Sequence, residues 1–165
     1  MIKPLTLLFS LLLVSPSWTP KDYTISFATK NAKGSIGGLK GTIDFDPGQP
    51  ELAKFDVTVD LNTLDMGIGL KTKHAKQEDF FNAEKYPSIH FQSERIQKTG
   101  NTYLAEGKLT IKDITKNVSI PFTFSGTEND GLFHGKFSVN RSDFKLEKKN
   151  VGEKVDVEIN LPVIK

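Results

Sequence analysis

The sequence predicts an all-β chain, an eight-stranded antiparallel up-and-down barrel with a short helical insertion around residues 70–82. Three observations carry this reading. Apolar residues alternate with polar ones at period two in eight separate runs, as in strands with one buried and one solvated face. The links between runs are short and rich in turn residues, so consecutive runs pair as antiparallel neighbours. Residues 63–87 alone lose the alternation.

The first run is Tyr23, Ile25 and Phe27, interleaved with Thr24 and Ser26. The stretch GSIGGLKG (34–41) follows, then Ile43 and Phe45. Glycines so spaced could be taken for a phosphate cradle, but such loops deliver their amides from a helix N-terminus. Here the strand-like TIDF follows, so the glycines are read as relieving crowding in a sharply bent strand. After the turn DPGQP (46–50), Phe55, Val57, Val59 and Leu61 give the cleanest alternation in the chain. Leu70 to Asn82 then reads as one or two short helical pieces, with Leu70, His74, Gln77 and Phe81 on one face. Pro87 biases Tyr86 toward an extended conformation and ends anything helical.

The pattern resumes at Ile89 and Phe91. After the turn KTGN (98–101) it runs through Tyr103, Ala105, Gly107, Leu109 and Ile111. Val118, Ile120, Phe122 and Phe124 lead to the turn GTENDG (126–131), and Phe133, Gly135, Phe137 and Val139 follow. Val155, Val157, Ile159 and Leu161 close the series beyond KKNVGEK (148–154). Eight such strands form a sandwich or a barrel. Evenly spaced short links favour the barrel, whose closure removes exposed edges and leaves an interior for packed side chains or one small ligand.

Residues 1–17 read as a secretory signal: Lys3, then the apolar run Leu5–Val14, then the small residues Ser15 and Ser17. The run is half the roughly 20 residues that a membrane span needs. Cleavage near Ser17 leaves one domain, residues 18–165. The chain carries 22 Lys and Arg against 20 Asp and Glu, a balance that points to neither nucleic acid nor an acidic surface as a main partner. It has no cysteine, so neither disulfides nor an N-terminal thioether lipid enter the argument.

Catalytic and metal chemistry find little support. His74, His90 and His134 are the only histidines. His74 and Glu78 share a helical spacing, but no third ligand lies close by and no H-E-x-x-H occurs. His90, out of phase with Ile89 and Phe91, should point away from the apolar face. No nucleophile elbow is present, so the chain is not expected to be an enzyme and no metal is expected. Arg141 and Asp143, in NRSDF, are read as closing one barrel end through hydrogen bonds. Of the twelve phenylalanines, Phe9 belongs to the signal, and the other eleven are then the main resource, as a packed core or as the lining of a pocket.

Four stretches in order, GSIGGLKGTIDFDP (34–47), residues 55–91 with their DFFNAEKYP, GKLTIKDITKNVSIPF (107–122) and NRSDFKLEKKNVGEKVDVEI (140–159), resemble the YceI-like family. The chain departs from the family's pattern around His74, where Thr72, Lys73 and Ala75 stand, and at Asp113 and Lys145. The resemblance implies a lipocalin-like barrel, periplasmic or secreted, that is hollow enough to admit a long lipid tail. It further implies that the protein carries or sequesters a polyisoprenoid or similar fatty amphiphile, as a monomer or homodimer. No cofactor is implied, although a prenyl lipid or quinone is possible as cargo. The residues expected at the lipid are Phe27, Leu39, Ile43, Phe45, His74, Phe80, Phe81, Phe91, Phe122, Phe124, Phe137 and Phe144. Phe80 and Phe81, anchored by Tyr86-Pro87, are expected at the barrel mouth. The alternative is a barrel with a filled core whose surface binds another protein of the cell envelope.

Overall fold

A computed structural model describes residues 15–165. The apolar run of the expected signal falls within residues 1–14 and lies outside the described residues. Strand β1 (Thr19–Pro20) is a two-residue segment. The barrel strands are β2 (Thr24–Ala28), β3 (Lys33–Asp44), β4 (Lys54–Asp65), β5 (Ser88–Thr99), β6 (Thr102–Ile111), β7 (Ile114–Gly126), β8 (Asp130–Asn140) and β9 (Lys154–Ile164). Each pairs antiparallel with the next in chain order, and β9 also pairs with β2, which closes the eight-stranded barrel. β1 continues the line of β2 along β9, with Thr19 opposite Ile164 and Thr24 opposite Asn160.

The register puts apolar side chains opposite one another on the inner face: Phe91 with Leu109, Tyr103 with Phe122, Phe137 with Val157. Strict alternation from Phe91 would turn Ile96 outward. A bulge between Ser93 and Arg95 inserts Glu94 and restores the phase, and Ile96 is buried. The glycine-rich stretch is strand throughout, in keeping with its reading as a bent strand, and β3 starts at Lys33. Its pairing with β4 shifts register twice between Ser35 and Lys40. Gly38 has a φ of +67°, and a Cβ there would lie 2.6 Å from that of Asp60. Gly41, at φ +120°, would drive a Cβ into the Asp56 carbonyl oxygen. These positions give β3 its bend, as the sequence suggested.

The insertion differs from expectation in detail. β4 continues to Asp65, and the helix α1 spans only Gly69–Lys76. Turns then carry the chain to Pro87, with Asn82 at φ +49°. The expected shared face of Leu70, His74, Gln77 and Phe81 is not formed. Ala75 is the helix's one buried residue, while Leu70 and His74 point to solvent. Two turns of helix meet the barrel wall through that small side chain, and Phe80 and Phe81 reach inward only because the backbone turns after Gln77. The Phe81 N–H donates to the Ala75 carbonyl and the Phe80 N–H to that of Gln77, both at 3.1 Å.

An up-and-down barrel sends alternate links to opposite ends. One end is sealed. There Phe45 is fully buried among Tyr103, Phe122, Phe124 and Phe133, at ring separations of 5.0, 5.6, 5.1 and 5.3 Å. The other end is framed by residues 29–32, 66–87 and 141–153, together with the tight turn after β6.

The candidate ligand cavity

Between the aromatic plug and the framed mouth the barrel is hollow. A cavity of about 290 Å³ is lined by apolar side chains of every barrel strand, with Thr29, Thr58 and Arg141 its few polar contacts. Inward-facing Val57, Val59, Ile89, Phe137, Val157 and Ile159 are only partly buried, although their strands place them inside the wall. A filled core would have covered them. The interior is therefore packed at one end and open at the other.

Nine of the twelve residues expected at the lipid line this cavity: Phe27, Leu39, Ile43, Phe80, Phe81, Phe91, Phe122, Phe137 and Phe144. Phe45 and Phe124 do not, because both belong to the sealed end. His74 does not either, since its position on α1 turns it to solvent. Phe80 and Phe81 meet edge to face, 4.9 Å apart at 85°, at the mouth under the insertion. Leu64 and Met66 at the end of β4, and Leu146 and Val151 in the 141–153 segment, also line the cavity and were missed. They lie near or beyond strand ends, where alternation carries no signal. Trp18, the sole tryptophan, was also passed over, and it closes the sealed end.

Arg141 sits in the short 3₁₀ turn Arg141–Phe144 that follows β8, and it is buried. Its Nε donates to the Gly152 carbonyl at 2.7 Å and its Nη2 to Val151 at 2.8 Å, while Nη1 donates to Leu146. The guanidinium thus ties the 141–153 segment into a rim, as expected of a residue closing a barrel end. Asp143 takes no part in this. The nearest carboxylate is that of Glu153, 3.9 Å away. Bonds from the Ser142 hydroxyl and backbone N–H hold the Glu153 carboxyl below its ordinary value. A cross-rim link joins Lys148 to Asp79 at 3.8 Å, and Asn31 Nδ2 donates to the Asn150 carbonyl at 2.9 Å.

The remaining histidines face outward. His90 meets Asp56 at 2.7 Å, and His134 meets Glu158 at 3.0 Å, each across neighbouring strands on the outer wall. Among the described residues, no group of three or more His, Asp or Glu is placed to hold a metal ion.

The chain resembles known proteins in sequence and fold. The model of the YceI-like domain matches residues 18–163. The chain belongs to the YceI-like family. A UPF0312 protein of Yersinia pestis (strain Pestoides F) is 30% identical over 120 residues, 72% of this chain and 62% of that relative, so the alignment leaves more than a third of the relative's length uncovered. Among solved structures, Burkholderia cenocepacia BcnA superposes with a TM-score of 0.80 at 25% identity, over 85% of this chain and 95% of that one. The Campylobacter jejuni YceI protein gives 0.75 at 25% identity, over 82% and 86%. A polyisoprenoid binding domain from Saccharophagus degradans shares the fold, with a TM-score of 0.71 over 90% of this chain and 97% of that one, at 13% identity.

Proposed function

We propose that the barrel encloses the apolar tail of a polyisoprenoid or similar long-chain amphiphile and carries or sequesters it in an aqueous compartment outside the cytoplasm. One observation carries the reading: inward-facing side chains of the mouth half stay accessible around an almost wholly apolar cavity of about 290 Å³. That volume is near the lower end of the roughly 300–1,000 Å³ of small-molecule sites, so the cavity suits a length of chain better than a long polyprenyl in full. At about 0.8 kcal/mol per buried CH₂, a five-carbon isoprene unit contributes about 3–4 kcal/mol gross. Three or four units then offset the association cost of at least several kcal/mol without a strong polar contact. Affinity should rise with tail length and discriminate weakly among head groups.

Two further points support it. A polyisoprenoid binding domain uses the same fold, and residues 1–17 read as an export signal. The nine cavity-lining residues named above are the proposed tail contacts, and no catalytic step is assigned to the site. A barrel acting only through its outer surface would have no use for the open interior. The test is organic extraction of the protein purified from its own host, followed by mass spectrometry. A stoichiometric polyprenyl or quinone species supports the reading and identifies the cargo. A blank that persists after incubation with prenyl lipids overturns it.

A further inference from the structure

The most exposed large apolar side chains among the described residues are Leu70 at 64% and Ile68 at 53%. Leu52 and Leu132 are less exposed and stand alone, whereas Ile68 and Leu70 are two residues apart at the start of α1. Gly67 and Gly69 flank Ile68, and a Cβ at either would meet nothing within 4 Å, so the turn projects clear of the barrel. It is nonetheless held in place. The Gly67 N–H donates to Asp65 Oδ1 at 2.8 Å and the Met66 N–H to Thr72 Oγ1 at 2.9 Å. Behind it, Ala75 packs with Leu61 and Leu64, and Met66 lines the cavity.

The tip itself carries lysines, while Asp65 precedes it and Glu78 and Asp79 follow it. Residues 66–77 include Lys71, Lys73 and Lys76 and no Asp or Glu. Lys76 Nζ donates to the Asn62 carbonyl at 2.7 Å. Among the described residues, neither Lys71 nor Lys73 forms an ion pair, and both are exposed. Two protruding aliphatic side chains backed by unpaired lysines suit an anionic lipid surface. The apolar pair enters the boundary between head groups and acyl chains while the lysines stay with the phosphates. Each lysine near such a surface strengthens partitioning roughly fivefold, an effect that salt screens.

We propose that the turn Met66–Leu70 and helix α1 dock the protein, mouth first, onto an anionic lipid bilayer. Phe80, Phe81 and Met66, which line the cavity beside this tip, then face the membrane from which a lipid tail enters or to which it returns. The assignment of the membrane as source of the cargo rests on the lipid-binding reading above.

The test is co-sedimentation of the purified protein with sucrose-loaded vesicles, either of phosphatidylcholine alone or with 30 mol% phosphatidylglycerol. Partitioning should be about tenfold stronger on the anionic vesicles and should fall as salt is raised from 0.05 to 0.5 M. The Ile68→Asp/Leu70→Asp variant should lose at least tenfold on the same vesicles, and Lys71→Ala/Lys73→Ala should lose most of the anionic preference. Both variants should keep the parent's melting temperature and its uptake of a soluble prenyl probe without vesicles. Equal binding to both vesicle types, or no loss in the Asp variant, overturns docking. So does a self-association that the Asp variant abolishes while vesicle binding is absent. A protein that docks but yields no extracted lipid would instead sink the carrier reading and leave the docking face standing.

Discussion

The indole Nε1 of Trp18 donates to the backbone carbonyl of Phe45 across 2.9 Å, joining a residue ahead of the first strand to one just past the end of β3. The Trp18 N–H donates to Ile43 at 2.8 Å, so the residue before β1 is stitched over the base of the barrel, while the bond from the Phe45 N–H to Pro16 at 2.9 Å belongs to the uncleaved chain. Trp18 also lies 5.5 Å from Phe124. The sealed end is thus a cap of backbone hydrogen bonds over an aromatic plug, and it leaves the mouth as the way in.

The plug is expected to determine stability more than binding. Phe45→Ala removes a fully buried ring from the centre of the cluster and should cost about 3–5 kcal/mol. Trp18→Phe keeps most of the packing but strips the Phe45 carbonyl of its donor, for about 1–3 kcal/mol. Urea denaturation read by far-UV circular dichroism gives both values. A Phe45→Ala loss under 1 kcal/mol would show that the plug repacks freely.

Phe80 and Phe81 should behave in the opposite way. Both are only partly buried and both line the cavity, so truncation removes a proposed tail contact more than core. Phe80→Ala/Phe81→Ala is expected to weaken binding of a fluorescent prenyl probe by about tenfold or more while costing under about 2 kcal/mol of stability. If the double variant unfolds with no separable loss of affinity, these rings are plug residues instead of a lining for the entrance.

Arg141 gives a third expectation. Its guanidinium is buried and spends its donors on carbonyls of the 141–153 segment, with Glu153 at a remote 3.9 Å. Arg141→Met should leave those carbonyls without their charged donor, for a loss of about 2–4 kcal/mol. The diagnostic readout is hydrogen exchange. The hydrogen-bonded amides of Arg141, Lys145 and Leu146 should lose protection first, while those of β6 and β7 keep theirs. Uniform loss across the barrel would mean that the rim has no local stability of its own.

The closed barrel was legible because alternation is a direct print of a two-faced wall, and Phe55 to Leu61 or Tyr103 to Ile111 show it without interruption. Boundaries failed where the backbone leaves the regular pleat. Residues 34–41 lack the side chains that would show the period, so the first half of β3 was legible only through its glycines, read as a bend in a strand. Helix α1 was misplaced because eight residues with a single buried alanine carry almost no amphipathic signal. The same weakness put His74 in the site on resemblance alone. Phe45 and Phe124 were expected at the lipid since apolar phase says only that a side chain points inward. Whether it then meets a cavity or a plug depends on how near it sits to the sealed end. Trp18 could have been suspected from its place beside the expected cleavage point, but no local pattern ties it to Phe45, 27 residues on.

Acid should loosen the protein from its outer wall and rim. The Glu153 carboxyl is held below its ordinary value first by the Ser142 hydroxyl and then by the Ser142 N–H. The Asp156 carboxyl is lowered by Ser138 and Lys154, and that of Glu158 by His134 and Lys136. Each folded-state value lies below the unfolded one, near 4.3 for Glu and 3.9 for Asp, so through that window the folded chain binds fewer protons than the unfolded one. The stabilisation is present above those values and is lost as pH falls through the lowered ones. The urea midpoint is therefore expected to be flat from pH 7 to about 5 and to decline below about 4.5. Since all three carboxylates are solvent-exposed, each contribution is small and should shrink in high salt. Glu153→Gln should lower the midpoint slightly at pH 7 and make the acid decline shallower, because one of the groups that take up protons on unfolding is gone. An unchanged slope in that variant would show that the bonds from Ser142 do not persist in solution.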